Sequence, residues 1–126
     1  MDQRKTLLLG AIFGGLGVAL GAFGAHTLKQ MLLVNNKLEA YEIAVRYQLY
    51  HALALLLAGV LMKDIQNPKP LQLAANCWVI GIFLFCGSLY TLSFSSIRAV
   101  AFFTPVGGVF FLAGWALLFW SVVKNK

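Results

Sequence analysis

Long apolar stretches alternate with short polar ones along this chain, and the spacing of the polar breaks predicts its elements. Leu7 to Ala25 carries no charge. A second apolar run emerges from a polar segment after Arg46, extends from Tyr47 to Met62 and stops at Lys63 and Asp64. The third runs from Leu71 to Leu92, broken only by Asn76 and small hydroxyl residues, and the fourth lies between Arg98 and Lys124. A helix needs about 20 mostly apolar residues, at about 1.5 Å rise each, to cross a hydrocarbon layer about 30 Å thick. Strand alternation is absent, and so is the outward-apolar, inward-polar dyad of a membrane barrel. The pattern predicts an all-α integral membrane four-helix bundle in one domain. Its spans fall at about 7–26, 45–62, 71–92 and 103–123, with a short extramembrane helical extension before the second.

Composition narrows the solvent. Of 126 residues, 60% are hydrophobic and 11% charged, against roughly 45–50% and 25% in soluble domains. Such a chain cannot coat a globule with polar surface, so a bilayer fits it. A cleaved signal peptide is the competing reading of the first run, because Arg4 and Lys5 precede it. That run exceeds the usual 7–15 apolar residues, and Phe23 would occupy the minus-three position for cleavage after Ala25, so retention is expected.

The net charge of +6 raises the question of nucleic acid, but the basic residues stand singly between spans and form no patch. They report topology. With four spans, Arg4, Lys5, Lys63, Lys69, Lys124 and Lys126 share one side, and Lys29, Lys37, Arg46 and Arg98 share the other. Six against four predicts cytoplasmic termini in a multi-pass membrane protein.

Local signals refine the boundaries. Asn36 with Glu39 three residues on has the form of a capping box, which predicts a helix from about Lys37 that continues into the second span. Glu42 and Arg46, at i and i+4, support it. "NPKP" at 67–70 is a tight turn. In the fourth run, Thr104 suits a helix cap and Pro105 a first-turn position, which leaves "SFSSIRAVAFF" as an interfacial connection. A start at Ala99 would instead put Pro105 inside the helix and kink it.

Glycines at 10, 14, 17, 21 and 24 repeat every 3.5 residues on average and include two GxxxG pairs. Small residues permit the close backbone approach that holds helices together in lipid. The first helix is expected to be central or tightly packed on a neighbour, either inside the chain, where Gly107 and Gly108 of the fourth run offer surface, or in a second copy.

Candidate chemistry gathers at one depth. His26 ends the first run; Tyr47, Gln48 and His51 open the second; Ser88 and Tyr90 close the third; Thr104 starts the fourth. With cytoplasmic termini these polar residues face the outer side, and only Gln72 and Asn76 lie near the inner boundary. An ionisable side chain within a span is a functional-site hypothesis. The alternatives are a helix-end hydrogen bond for His26, headgroup-level anchoring for Tyr47, Tyr50 and Tyr90, a core or belt position for Trp115 and Trp120, and an interhelical hydrogen bond for His51.

Other chemistries are poorly supplied. Two histidines with Cys86 or Glu42 make a weak metal set, and Cys77 and Cys86 have no metal-type spacing. No catalytic residue, metal or cofactor is assigned. No carboxylate within a span orients a histidine as a triad would require, no nucleophile motif is present, and the glycines do not form a phosphate loop. A proton-coupled exporter would want an acidic residue in a span.

Taken in order, "ALGAFGAHTLK", "AVRYQLYHALALL", "FCGSLYTL", "FFTPVGG" and "FLAGWALL" resemble the YgdD/YwdK family of small membrane proteins, catalogued as domain of unknown function four-two-three. The resemblance covers nearly the whole chain and implies a four-helix inner-membrane protein with no assigned reaction. It carries over Gly21, Gly24, His26, Tyr47, Gln48, His51, Gly87, Ser88, Tyr90, Thr104, Pro105, Gly107, Gly108 and Trp115. Cys86 departs from the family, which often has serine before the glycine of "GSLY". The functional expectation is a non-enzymatic membrane protein whose polar cluster binds a lipid, a small amphiphile or a protein partner. A small transporter or oligomeric channel is the alternative, followed by an intramembrane enzyme using both histidines. Membrane lipids are the expected partners, with a second copy or another membrane protein as further ones, and nucleic acid is not.

Overall fold

The computed structural model describes residues 1–125; Lys126, counted above with the cations beside the termini, lies outside them. Among the described residues there are only helices and their connections. Four helical stretches are long and apolar enough to cross a membrane: Gln3–Ala25, Leu38–Leu61, Lys69–Phe94 and Arg98–Lys124.

Helix α1 (Gln3–Ala25) starts where the Asp2 carboxylate accepts the Lys5 amide at 2.8 Å, a side-chain cap for an otherwise unpaired N–H. It ends at His26, whose backbone N–H donates to the Ala22 carbonyl at 3.2 Å. The chain then forms a one-and-a-half-turn helix that the sequence reading missed, α2 (Lys29–Val34), which buries Leu32 against Tyr41 and Val45.

Asn36 does not cap the next helix. It adopts φ 55°, while the Asn36 amide donates to Leu33 O at 3.1 Å and the Lys37 amide to Leu32 O at 2.8 Å. These are the paired bonds of a Schellman turn, with asparagine in the left-handed position that closes α2. The residue type is right for both roles, and the positive φ decides between them. Asn36→Gly is therefore expected to leave thermal stability in detergent nearly unchanged, whereas Asn36→Val should lower it by about 1–2 kcal/mol. Equal stability of the two variants would remove this account of the turn.

Helix α3 (Leu38–Leu61) is the centre of the bundle. In its most apolar stretch 50% of residues are buried, against 22% in the first and fourth spans and 33% in the third. The sequence expectation that α1 is central or tightly packed resolves to the second option. The α1 seam lies on α3 of the same chain, antiparallel. A Cβ at Gly10 would lie 2.9 Å from Leu56 Cγ, one at Gly17 would lie 2.7 Å from Leu49 Cδ2, and one at Gly24 would enter the Tyr41 ring. Gly14 and Gly21 sit looser, 3.8 Å from Ala52 Cβ and 3.3 Å from Val45 Cγ1. Every seventh residue thus carries the closest contact, as an antiparallel pair with a heptad seam requires.

Lys63 and Asp64 form a turn, and Pro68 caps α4 (Lys69–Gly81) with Pro70 in its first turn, where a missing N–H costs nothing. The third span then widens into a π-helical segment, Ile82–Cys86, before α5 (Gly87–Phe94). After Ser95 the chain runs through a 3₁₀ turn, Arg98–Phe102, into α6 (Phe103–Lys124). Pro105 falls in the first turn of α6 as expected. Thr104 is not its cap, because its hydroxyl faces Ser88 instead. Helix α6 packs on α4 and the π segment. Gly114 lies against the Trp78 indole and Gly107 against the backbone of Phe85.

Candidate functional site

The polar residues expected to form one cluster are distributed over three separate interhelical clasps, with His26 apart from all of them. Gln48 and His51 are the eleventh and fourteenth of the 24 residues of α3, near the middle of that helix and not at its end. Polar side chains are also not confined to one half. At the end of the bundle that holds the termini, the Thr6 hydroxyl is fully buried, donates to Asp2 O at 2.7 Å and lies 4.0 Å from Met62 sulfur. Beside it, Gln3 Nε2 donates to Gly59 O at 2.8 Å.

The first clasp ties three spans. Gln48 is buried between α1 and the third span; its Nε2 donates to the Phe13 carbonyl at 2.9 Å and its Oε1 accepts the Tyr90 hydroxyl at 2.7 Å. One amide thereby satisfies both of its functions in a setting without water. Two turns up, the Tyr41 hydroxyl donates to the Leu20 carbonyl. The Tyr41 ring meets Tyr90 and Phe94 edge-on at 5.6 and 5.8 Å.

The second clasp centres on His51. Its Nδ1 lies 2.8 Å from the Tyr47 carbonyl, which can only accept, and its Nε2 lies 3.0 Å from the Trp115 indole N–H, which can only donate. These partners fix the neutral tautomer with the proton on Nδ1. The imidazole stacks on Phe111 at 3.7 Å between centroids, and Trp78 packs on Trp115 at 4.9 Å. Neither ring nitrogen is left for a substrate. Tyr47 contributes its carbonyl here, while its half-exposed ring packs on Phe85 at 4.8 Å.

The third clasp joins the third span to α6: the Ser88 and Thr104 hydroxyls are 2.5 Å apart, and Ser88 also donates to Phe85 O at 2.9 Å. His26 is exposed at the end of α1. Gly24 faces Tyr41 and Gly14 faces Ala52, so the level of His51 corresponds to about Gly14 on α1. Twelve residues of helical rise then separate the two histidines by about 18 Å. One substrate cannot touch both. Among the described residues no group of three His, Cys, Asp or Glu side chains could hold a metal ion.

What the helices leave open is a lateral groove. Between α1 and the third span, on the flank of α3, a hollow of about 160 Å³ is lined by Phe13, Leu16, Leu20, Phe83 and Gly87, with Gln48 and Tyr90 at its floor. Its apolar walls face the surface that the bilayer would cover. A Cβ on Gly87 would meet nothing within 4 Å. The sequence carried the glycine as a family motif and gave no sign of the groove, which arises because α1 and the third span both pack on α3 and little on each other.

The order and spacing of these residues recur elsewhere. A family model described as "Protein of unknown function (DUF423)" matches residues 20–108. The chain belongs to the DUF423 family. It is 38% identical to a UPF0382 membrane protein of Haemophilus influenzae over 124 residues, covering 98% of each chain. It is 39% identical to the UPF0382 inner membrane protein YgdD of Escherichia coli K12 over 134 residues, covering 100% of this chain and 95% of YgdD. A UPF0382 membrane protein of Staphylococcus haemolyticus is 38% identical over 97% of this chain and 98% of its own. No solved structure matches. This DUF423 member, with its four apolar helices, is an integral membrane protein. The matched segment holds the Gln48, His51 and Ser88 clasps except for Phe13, Phe111 and Trp115.

Proposed function

We propose that this protein is a non-enzymatic lipid-binding protein of the bacterial inner membrane, which holds a lipid chain in the groove between α1 and the third span. The groove carries the reading: its walls are apolar, it opens sideways to the bilayer, and at about 160 Å³ it is smaller than the roughly 300–1,000 Å³ pockets that enclose small molecules. A hollow of that size and placement suits part of an acyl chain. Full pairing of Gln48, His51, Tyr90, Ser88 and Thr104 supports a structural role for these five side chains. Occupation of the α1 seam by α3 removes the main argument for a subunit channel. The basic residues favour cytoplasmic termini, and the name of the Escherichia coli relative favours the inner membrane.

Gly87→Leu tests the reading, because the new side chain enters open space and leaves the fold intact. Native mass spectrometry of the wild type in mild detergent is expected to find retained phospholipid, and the variant is expected to lose most of it. A wild type free of lipid, or a variant with an unchanged lipid complement, would dispose of the proposal.

A further inference from the structure

At the end of the bundle remote from the termini, the turn that closes α2 and the end of α5 enclose a second hollow of about 420 Å³. Met31, Asn35 and Lys37 line one wall; Phe94, Ser95 and Ser96 line the other. Several of its polar groups are already engaged. Asn35 Nδ2 donates to Met31 O at 3.0 Å, the Ser95 hydroxyl to Thr91 O at 2.8 Å, and the Ser93 hydroxyl to Leu89 O at 2.7 Å. Two donors remain, the Lys37 ammonium and the Ser96 hydroxyl, neither of which has a hydrogen-bond or ion-pair partner among the described residues. Lys37 is half-buried, whereas the nearby Arg46 is paired with Glu42 at 3.4 Å.

We infer that this hollow is the headgroup subsite for an anionic lipid phosphate, bound by Lys37 and Ser96. A half-buried ammonium without a counter-ion attracts an oxyanion, and a hydroxyl adds a hydrogen bond to it. The field has the right sign, since Lys29, Lys37, Arg46 and Arg98 outnumber Glu39 and Glu42 at this end. Met31 and Phe94 give the hollow the apolar rim that a glycerol backbone and the first methylenes need. The two hollows lie one above the other along α5. Phe94 lines the upper one, and Tyr90, one turn below on α5, lines the groove, with both rings against Tyr41. A lipid whose phosphate sits at Lys37 runs its chain past Phe94 into the groove.

The inference rests on the lipid-binding reading and adds the headgroup, so the experiment separates the two. The full chain in mild detergent is incubated with phosphatidylglycerol or phosphatidylcholine of identical chains, and separately with phosphatidylglycerol in the presence of inorganic phosphate, and bound lipid is counted by native mass spectrometry. The wild type is expected to retain phosphatidylglycerol about fivefold over phosphatidylcholine, the scale of one basic residue acting on an anionic lipid. Lys37→Glu should abolish that preference. Lys29→Glu, which makes the same charge change outside the hollow, should preserve it. Equal retention of the two lipids by the wild type, an unchanged preference in Lys37→Glu, or an equal loss in Lys29→Glu overturns the headgroup site while leaving the chain groove standing. Displacement of phosphatidylglycerol by inorganic phosphate at equal concentration makes free phosphate the ligand and overturns the lipid assignment. Failure to retain either lipid, with Gly87→Leu no different, overturns the groove itself.

Discussion

Gly107→Ala is expected to destabilise the protein by about 3 kcal/mol, at the upper end of what an overpacked interior site costs. The added Cβ would collide with the amide nitrogen and Cα of Phe85. Those are backbone atoms in the π-helical segment, so no side-chain rotation relieves the clash, and α6 must move away from the third span. The adjacent Gly108→Ala supplies the control. Its Cβ would stand 3.9 Å from Phe85 Cδ2, an ordinary contact, and alanine gains up to about 1 kcal/mol of helix propensity over glycine. Unfolding of both variants in the same detergent, followed by circular dichroism, should find Gly107→Ala far less stable and Gly108→Ala at or above the wild type. Similar stability in the two would mean that α6 does not approach the π segment so closely.

That glycine shows how far the sequence could be read. The composition of the runs announced the helices, and the α1 seam was visible because small residues at 3.5-residue spacing have one main use in lipid. The partner of the seam was not visible, since spacing on one helix does not name the helix opposite. Nor was the π segment: Ile82–Cys86 holds no proline or internal glycine, and it widens where the backbone of Phe85 meets Gly107. Helix α2 escaped because six residues are too short for periodicity to register. Asn36 was misread because asparagine serves both helix starts and left-handed helix stops.

For the site, the residue types were legible and their depth was not. Counting inward from Arg46 as a membrane boundary put His51 near one surface. Helix α3 does begin at Leu38, as the expected start near Lys37 required, but its packing sets His51 level with about Gly14 of α1, midway along a stretch that carries no charge from Leu7 to Ala25. That level puts Gln48 and His51 near the middle of the bundle. It also changes their meaning, because at mid-depth an amide or imidazole must find a protein partner, and each does. The partners themselves, the Phe13 carbonyl and the Trp115 indole, carry no sequence signal of their own. A carbonyl is present at every residue, and a tryptophan in an apolar run reads equally well as core or belt. The resulting division of labour is that polar side chains join the helices at mid-depth, while the surfaces proposed for a ligand lie in the groove beside Gly87 and in the hollow beside Lys37.

His51→Ala tests that division. The substitution removes a ring stacked at 3.7 Å on Phe111 and strips the Trp115 N–H of its acceptor. An unsatisfied buried donor costs about 1–3 kcal/mol, although single hydrogen bonds between membrane helices average nearer 0.6 kcal/mol because the separated helices find other partners. The void adds lost dispersion contacts, which lipid cannot restore inside the bundle. The total expected is about 2–3 kcal/mol of destabilisation. His51→Phe keeps the stack and forfeits only the hydrogen bonds, so it should cost about 1 kcal/mol. Because His51 lines neither the groove nor the hollow beside Lys37, both variants should retain phospholipid in native mass spectrometry at the wild-type ratio while unfolding earlier. A structural clasp predicts that combination; a ligand site predicts its inverse, unchanged stability with an altered lipid complement, and observing the inverse would return His51 to the binding machinery.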